Sequence, residues 1–304
     1  MIIKKPRTIC SSSPFCRLWL LLALAWSHPE TGVFGQQPLQ PVVALQPQWR
    51  SLLDEKRSDW ELWMGVPHQS VAGLPPGTPT SPDGHEGTPL GLENDPKHVF
   101  SVTNIDGEPV LHITGEIFGG LTTRQAYGNY HLQLEVRWGQ KKWEPKLNVV
   151  RDSGLLFHCQ GQHGAFWNVW KKCLEFQVEE GNMGDLFLLS GPMADVRQVA
   201  ATNGVFYSPA GQLAPAKTRI CHLNENFEKA NGEWNVLDLY TLGQQAVFVV
   251  NGHVVNVIEN TRSHENDPLV SGQIQIQSEG AELDYRRIRI QSIDRFPNDL
   301  HLTP

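Results

Sequence analysis

From Val99 onward, apolar residues recur at every second position in one short segment after another, and this alternation constrains the fold more than any other feature. A strand turns successive side chains to opposite faces, so a period of two buries one face and frees the other. Segments with this pattern cover residues 100–103, 109–114, 120–123, 130–138, 154–159, 174–179, 234–242, 246–250, 253–258, 272–277 and 285–290. The run AVFVVNGHVVNVI reads as a hairpin, because Asn251–Gly252 is a pair favoured in tight two-residue turns. Helix signals are sparse. Many antiparallel strands joined by Gly- and Asn-rich turns predict an all-β fold, an antiparallel β-sandwich or jelly roll.

The N-terminal residues stand apart from that pattern. Lys4, Lys5, Arg7 and Arg17 form a basic leader around the start of the apolar run LWLLLALAW at 18–26. The run is shorter than the roughly 20 residues a spanning helix needs. Small and polar residues follow up to Gly35–Gln36, so a signal peptide is expected over 1–35 and a secreted or periplasmic location with it. A Gln- and Pro-rich linker is expected over 36–48, one β domain over 49–298 and a short tail over 299–304. Residues 66–97 carry many Pro, Gly and Asp residues and are too long for an ordinary turn, which makes them either a structured insertion rimming a site or a mobile surface loop. Cleavage of the leader would remove four basic residues and Glu30 from the 25 basic and 32 acidic ones, leaving 21 against 31. A chain with that balance repels nucleic acid and anionic membrane.

Residues 151–185 combine the alternation with chemistry. If both strands are regular, Leu155, Phe157 and Cys159 face one way and Leu156, His158 and Gln160 the other. Likewise Leu174, Phe176 and Val178 oppose Cys173, Glu175, Gln177 and Glu179. The loop between them adds Trp167, Trp170, Lys171 and Lys172. Carboxylates, amides and flat rings on one face suit a sugar. Cys159 and Cys173 would flank the hairpin mouth, where a bridge is plausible in an exported chain, although regular strands would point them to opposite faces. Neither a GxSxG elbow nor a phosphate-cradling GxxxxGK loop is present, which argues against serine esterase and nucleotide chemistry.

Several segments together resemble the 3-keto-disaccharide hydrolase family. These are SLLDEKRSDWELWMG near the start, DSGLLFHCQG, CLEFQVEEGNMGD against the pattern E-x-Q-[IV]-x-[ED]-G-x-x-GD, GEWNVLDLYTLGQQAVFVVNGHVVN, and GQIQIQSEGAELDYRRIRIQSI at the end. Their order spans roughly residues 50–293. The resemblance implies a secreted bacterial protein with a concanavalin- and laminin-G-like jelly roll. Many members carry a His–Asp pair after the final Gln, where this chain has Ser278–Glu279. Either His158 or His163 substitutes, or the activity differs.

The resemblance further implies substrates whose hexose 3-hydroxyl is oxidised to a ketone. The ketone acidifies the C2 hydrogen, proton removal gives an enolate, and the enolate expels the C1 substituent. Such a site needs a base, positive charge or donors at the enolate oxygen, and an acid for the leaving group. Glu175 or His158 is expected as the base, and Lys171 or Arg124 at the enolate. Gln177, Glu179 and Gln277 would orient hydroxyls, and Trp167 or Trp170 would stack on the ring. A divalent cation held by His158, Glu175 and Glu179 is an alternative electrophile. Each residue also has a structural reading: Glu175 in a salt bridge with Lys171 or Arg151, His158 as a buried strand histidine, the two tryptophans as hairpin packing. A glycan-binding module without catalysis is the rival function.

Overall fold

The computed structural model describes residues 40–216 and 220–302. The signal peptide expected over 1–35, the start of the 36–48 linker and the end of the 299–304 tail therefore lie outside the described residues. Every predicted strand is present and overlaps its expected range. Strands that the alternation did not reveal include Trp60–Met64, Leu186–Leu189, Met193–Ala201 and Gly204–Tyr207. Among the described residues the one helical element is a single 3-10 turn, Asn298–Leu300. No helix there is long and apolar enough to cross a membrane.

The strands form two antiparallel sheets, which together make a β-sandwich of jelly-roll type. The eight-stranded sheet runs in the order Ile220–Cys221, Leu186–Leu189, Lys172–Glu179, Asp152–Gln160, Gln273–Ser278, Gly119–Thr123, Trp60–Met64, Gly91–Leu92. The eleven-stranded sheet is centred on Asn235–Leu242, Tyr130–Lys142 and Ala281–Ser292. The hairpin predicted at Asn251–Gly252 forms, with φ of 50° and 84° at its two central residues. Positive φ at both positions is the twist-matched two-residue turn.

One face of each sheet meets the other. Leu155, Phe157, Leu174, Phe176, Val178, Ile274 and Ile276 come from the smaller sheet, and Leu132, Leu134, Val136, Leu237, Leu239, Phe248 and Tyr285 from the larger. Phe248 stacks on Phe176 at 4.4 Å between centroids and meets Phe157 edge-on at 5.7 Å. The outer face of the larger sheet is covered in part by a second cluster, where Ile293, Phe296, Leu300 and Leu302 pack on Tyr240, Val247 and Val249.

The smaller sheet departs from regularity at one point that matters. The pairing of Asp152–Gln160 shifts register between Phe157 and Gln160 on one side and between Leu156 and Cys159 on the other, so both shifts bracket His158. His158 takes φ of 50° there. A bulge adds one residue, so the side chains beyond it change faces. Gly272 permits it, since a Cβ on Gly272 would lie 2.6 Å from His158 Cα. The expectation that His158 faces outward with Glu175 is thereby overturned. His158 points into the core, edge-on to Tyr130 at 6.4 Å and against Phe157 at 5.2 Å. Its ring nitrogens have no hydrogen-bond partner. Cys159 moves to the outer face beside Cys173, which removes the geometric objection to a bridge, yet both are free thiols, as is Cys221.

Burial without a partner depresses the His158 pKa to about 3. Between about 3 and the ordinary value of about 6.5, the unfolded chain holds a proton that the folded chain lacks. This group thus costs nothing above that window and destabilises progressively as pH falls through it. In urea unfolding, the native chain should lose about 2 kcal/mol more than His158→Leu between pH 7 and pH 5. Parallel pH curves for the two proteins would refute a neutral core histidine.

Candidate active site

The outer face of the eight-stranded sheet carries the polar positions in rows. One row runs Glu175, Leu156, Gln275, Thr122, Glu61 across five strands. The next holds Gln177, Gly154, Gln277, Gly120 and Trp63, and beyond it Asp152 pairs with Glu179. Apolar side chains divide this face. Phe118, Leu156, Val169, Trp170 and Leu189 pack together over its middle, with the buried Cys159 and Cys173. Two polar ends remain.

At one end, four carboxyl groups gather around one ammonium. Lys146 reaches from the loop after Tyr130–Lys142 and bonds both Asp152 and Glu279. Glu175 and Glu179 lie close enough to feel these charges. Gln177 Nε2 donates to Asp152 Oδ1 at 3.2 Å. Gly154 leaves a gap at this end of the face, and the Glu175 and Gln277 side-chain oxygens converge over it, where a Cβ would collide with both. Gln177 Oε1 and Gln277 Oε1 are buried without a hydrogen-bond partner. Glu175 is 3% exposed.

Electrostatics follow from that crowding. Burial first, then Glu279 and Asp152, push the Glu175 carboxyl well above its ordinary range. Asp152 is raised by burial and by Glu279, and Glu279 by burial. Burial works against the Lys146 charge, but Glu279 and Asp152 outweigh it and raise its pKa. A single ammonium in a low-dielectric setting cannot balance several carboxylates, so the charged form of Glu175, which it does not touch, is disfavoured. Glu175 has no ion pair to offset its burial.

The expected residues divide between the two ends. Glu175, Gln177, Glu179 and Gln277 come together in the acid cluster. Lys171 lies four positions from Glu175 along one strand line, about 13 Å away. Arg124 lies farther off, beside Glu61 at 3.8 Å and Glu93 at 3.4 Å. Neither reaches the place where Lys146 sits. Trp170 is buried packing, its Nε1 donating to Gly119 O at 3.1 Å. Trp167 is 43% exposed and stacks on His85 of the 66–97 segment at 4.7 Å. That segment is structured: Gln69 N donates to Ser81 O, and Asn168 Nδ2 to His85 O.

Neither histidine proposed as a substitute is at the cluster. His158 is in the core, and His163 bonds Glu61 at 3.0 Å and stacks on Trp63. The divalent-cation set of His158, Glu175 and Glu179 is likewise not assembled, because His158 points to the opposite face from Glu175. The residues missed by sequence reasoning are Lys146, which sits in a loop with no period, and Asp152, which begins a strand two residues before the range that the alternation marks. Glu279 was visible only as a departure from the family pattern.

The glycine at 154 is required by contact. Gly154→Ala should displace Glu175 and Gln277 and cost about 1–3 kcal/mol by overpacking, measurable by urea unfolding. A variant as stable as the native chain would show that the two side chains do not rest on this glycine.

Comparison with known proteins gives this face a context. Curated proteins provide no match. Among solved structures, a candidate glycosyl hydrolase of Parabacteroides distasonis ATCC 8503 is 16% identical, with 81% of this chain and 100% of that one covered and a TM-score of 0.44. A Bacillus subtilis protein with a galectin-like fold is 9% identical over 84% of this chain and 98% of that one, at a TM-score of 0.42. The carbohydrate-binding module CBM66 of Bacillus subtilis is 7% identical over 64% and 92%, at 0.38. The family model described as a 3-keto-alpha-glucoside-1,2-lyase-like domain matches residues 48–291, which take in both sheets and every residue of the acid cluster, and the chain belongs to that family.

Proposed function

We propose that this protein is an exported carbohydrate-active enzyme that cleaves 3-keto-glycosides by base-initiated elimination, with or without later addition of water, at the acid cluster. The observation that carries the reading is the convergence over Gly154 of the buried Glu175 carboxyl with Gln277 Oε1, which, like Gln177 Oε1 nearby, is buried without a hydrogen-bond partner. Buried acceptors without donors mark a place where a ligand supplies them. Sugar hydroxyls are such donors. The basic leader and apolar run at the N-terminus support export.

A carboxylate with a raised pKa is a stronger base than an ordinary one, and one that holds its proton near neutrality is also an acid. Glu175 in its ionised form takes the C2 proton of the keto-sugar. The electron pair of the C–H bond becomes the enolate, its charge resting on the former ketone oxygen. Lys146 supplies positive charge at that end of the face. As the enolate collapses, the C1–O bond breaks and the departing oxygen takes the proton from Glu175. Gln177 and Gln277 hold the ring hydroxyls, so that the C2 hydrogen meets the carboxyl. This arrangement differs from ordinary glycosidases, which use two carboxyls on an oxocarbenium-like path.

Glu175→Gln should lower kcat on a chromogenic 3-keto-glucoside by about 100-fold or more, with circular dichroism unchanged. Turnover within threefold of the native enzyme would remove Glu175 from the chemistry. A second reading, a sugar-binding module, is favoured by one feature: Asp152 and Glu279 are buried and committed to Lys146. That reading predicts sugar affinity by calorimetry and no release from either anomer of the keto-glucoside by the native chain.

A further inference from the structure

The other polar end of the same face holds an amine that the proposed reaction does not use. Lys171 is 3% exposed and lines a cavity of about 290 Å3. Among the described residues its Nζ forms no hydrogen bond and no ion pair. Glu61 is the one carboxylate in the cavity wall, and it is already engaged by His163 at 3.0 Å and Arg124 at 3.8 Å. Gln160, also in the wall, has no side-chain partner among the described residues, and Gln273 keeps its amide oxygen free while Nε2 bonds Thr123 O at 2.6 Å.

A buried, unpartnered lysine is costly unless something meets it or it loses its charge. Burial lowers the Lys171 pKa, and nearby Cys159 and Glu61 only partly offset this. The neutral amine is a nucleophile towards carbonyl carbon. The wall excludes a rival ligand class, because Glu61 repels a small anion that would otherwise pair with the ammonium. The glutamines suit hydroxyl groups. The volume lies at the lower limit of small-ligand pockets.

We infer that this cavity is a second ligand site, in which the Lys171 amine condenses reversibly with the carbonyl group of a small polyhydroxy aldehyde or ketone. The Lys171 nitrogen adds to the carbonyl carbon, a C=N bond forms, and the carbonyl oxygen leaves as water with the two hydrogens of the amine. The site stands about 13 Å from Glu175 and does not depend on the lyase reading.

Trapping tests it. The full chain is incubated with 3-keto-glucose at pH 7, reduced with sodium borohydride, which delivers hydride to the imine carbon, and mapped by peptide mass. The expected result is a stable adduct on Lys171 at least tenfold more abundant than on Lys141, a surface lysine with a 67% exposed side chain. Lys171→Arg should lose this adduct while keeping the native circular dichroism, and Glu175→Gln should retain it. An unmodified Lys171, or one labelled no more than Lys141, overturns the inference. Retention of the label in a chain that turns over no keto-glycoside would sink the lyase reading alone.

Discussion

The contact between the sheets at Phe157, Phe176 and Phe248 fixes everything on the outer surface. Phe248 lies flat on Phe176 and edge-on to Phe157, so one ring of the larger sheet sets the facing of two adjacent strands of the smaller. Since side chains alternate strictly, burying Phe157 and Phe176 commits Leu156, Glu175 and Gln177 to the outside. A slip of one residue would exchange the entire set and put Glu175 in the hydrocarbon core. The aromatic contact therefore does more than contribute burial energy. It selects which residues can meet a ligand.

On that outer face, two lysines withdrawn from solvent, Lys171 almost wholly and Lys146 in large part, behave oppositely because of their partners. Lys146 has two carboxylates in direct contact, and their attraction exceeds the cost of desolvation. Lys171 has no contacting anion, and desolvation wins. The apolar layer of Phe118, Leu156, Val169 and Trp170 separates them and keeps water from levelling the difference. The same layer explains why Trp170 is structural. Its ring closes the divide between two polar ends, and its indole nitrogen is satisfied by a backbone carbonyl.

The sheets were legible in the sequence because alternation is a property of each strand alone, and hydrophobic runs from Phe100 to Ile290 display it. Glu175, Gln177 and Gln277 were legible for the same reason. His158 was not. A single bulged residue leaves the pattern of letters unchanged while reversing the geometry beyond it, and the space that permits the bulge belongs to Gly272, more than a hundred positions away. Lys146 was illegible because a loop lysine has no period, and its meaning arises only when the chain brings it to Asp152 and Glu279. Strands such as Trp60–Met64 were hidden because each is short, and this one follows directly on the charged run DEKRSD.

The identity of residue 279 links these observations. Glu279 brings a charge into a region that already holds Asp152 and Glu175, and such a charge is tolerable only with a counter-ion in contact. Lys146 is that counter-ion, delivered by a loop whose Trp143 is anchored by backbone and indole bonds to Gly280 and Thr114. Glu279 and Lys146 thus form one unit, since neither could occupy this interior alone. The unit also sets the field around Glu175: Lys146 satisfies Asp152 and Glu279 and leaves Glu175 without a contacting cation, its pKa raised. Glu279, in the loop after Gln273–Ser278, is in this way coupled through Lys146 to a carboxyl two strands away.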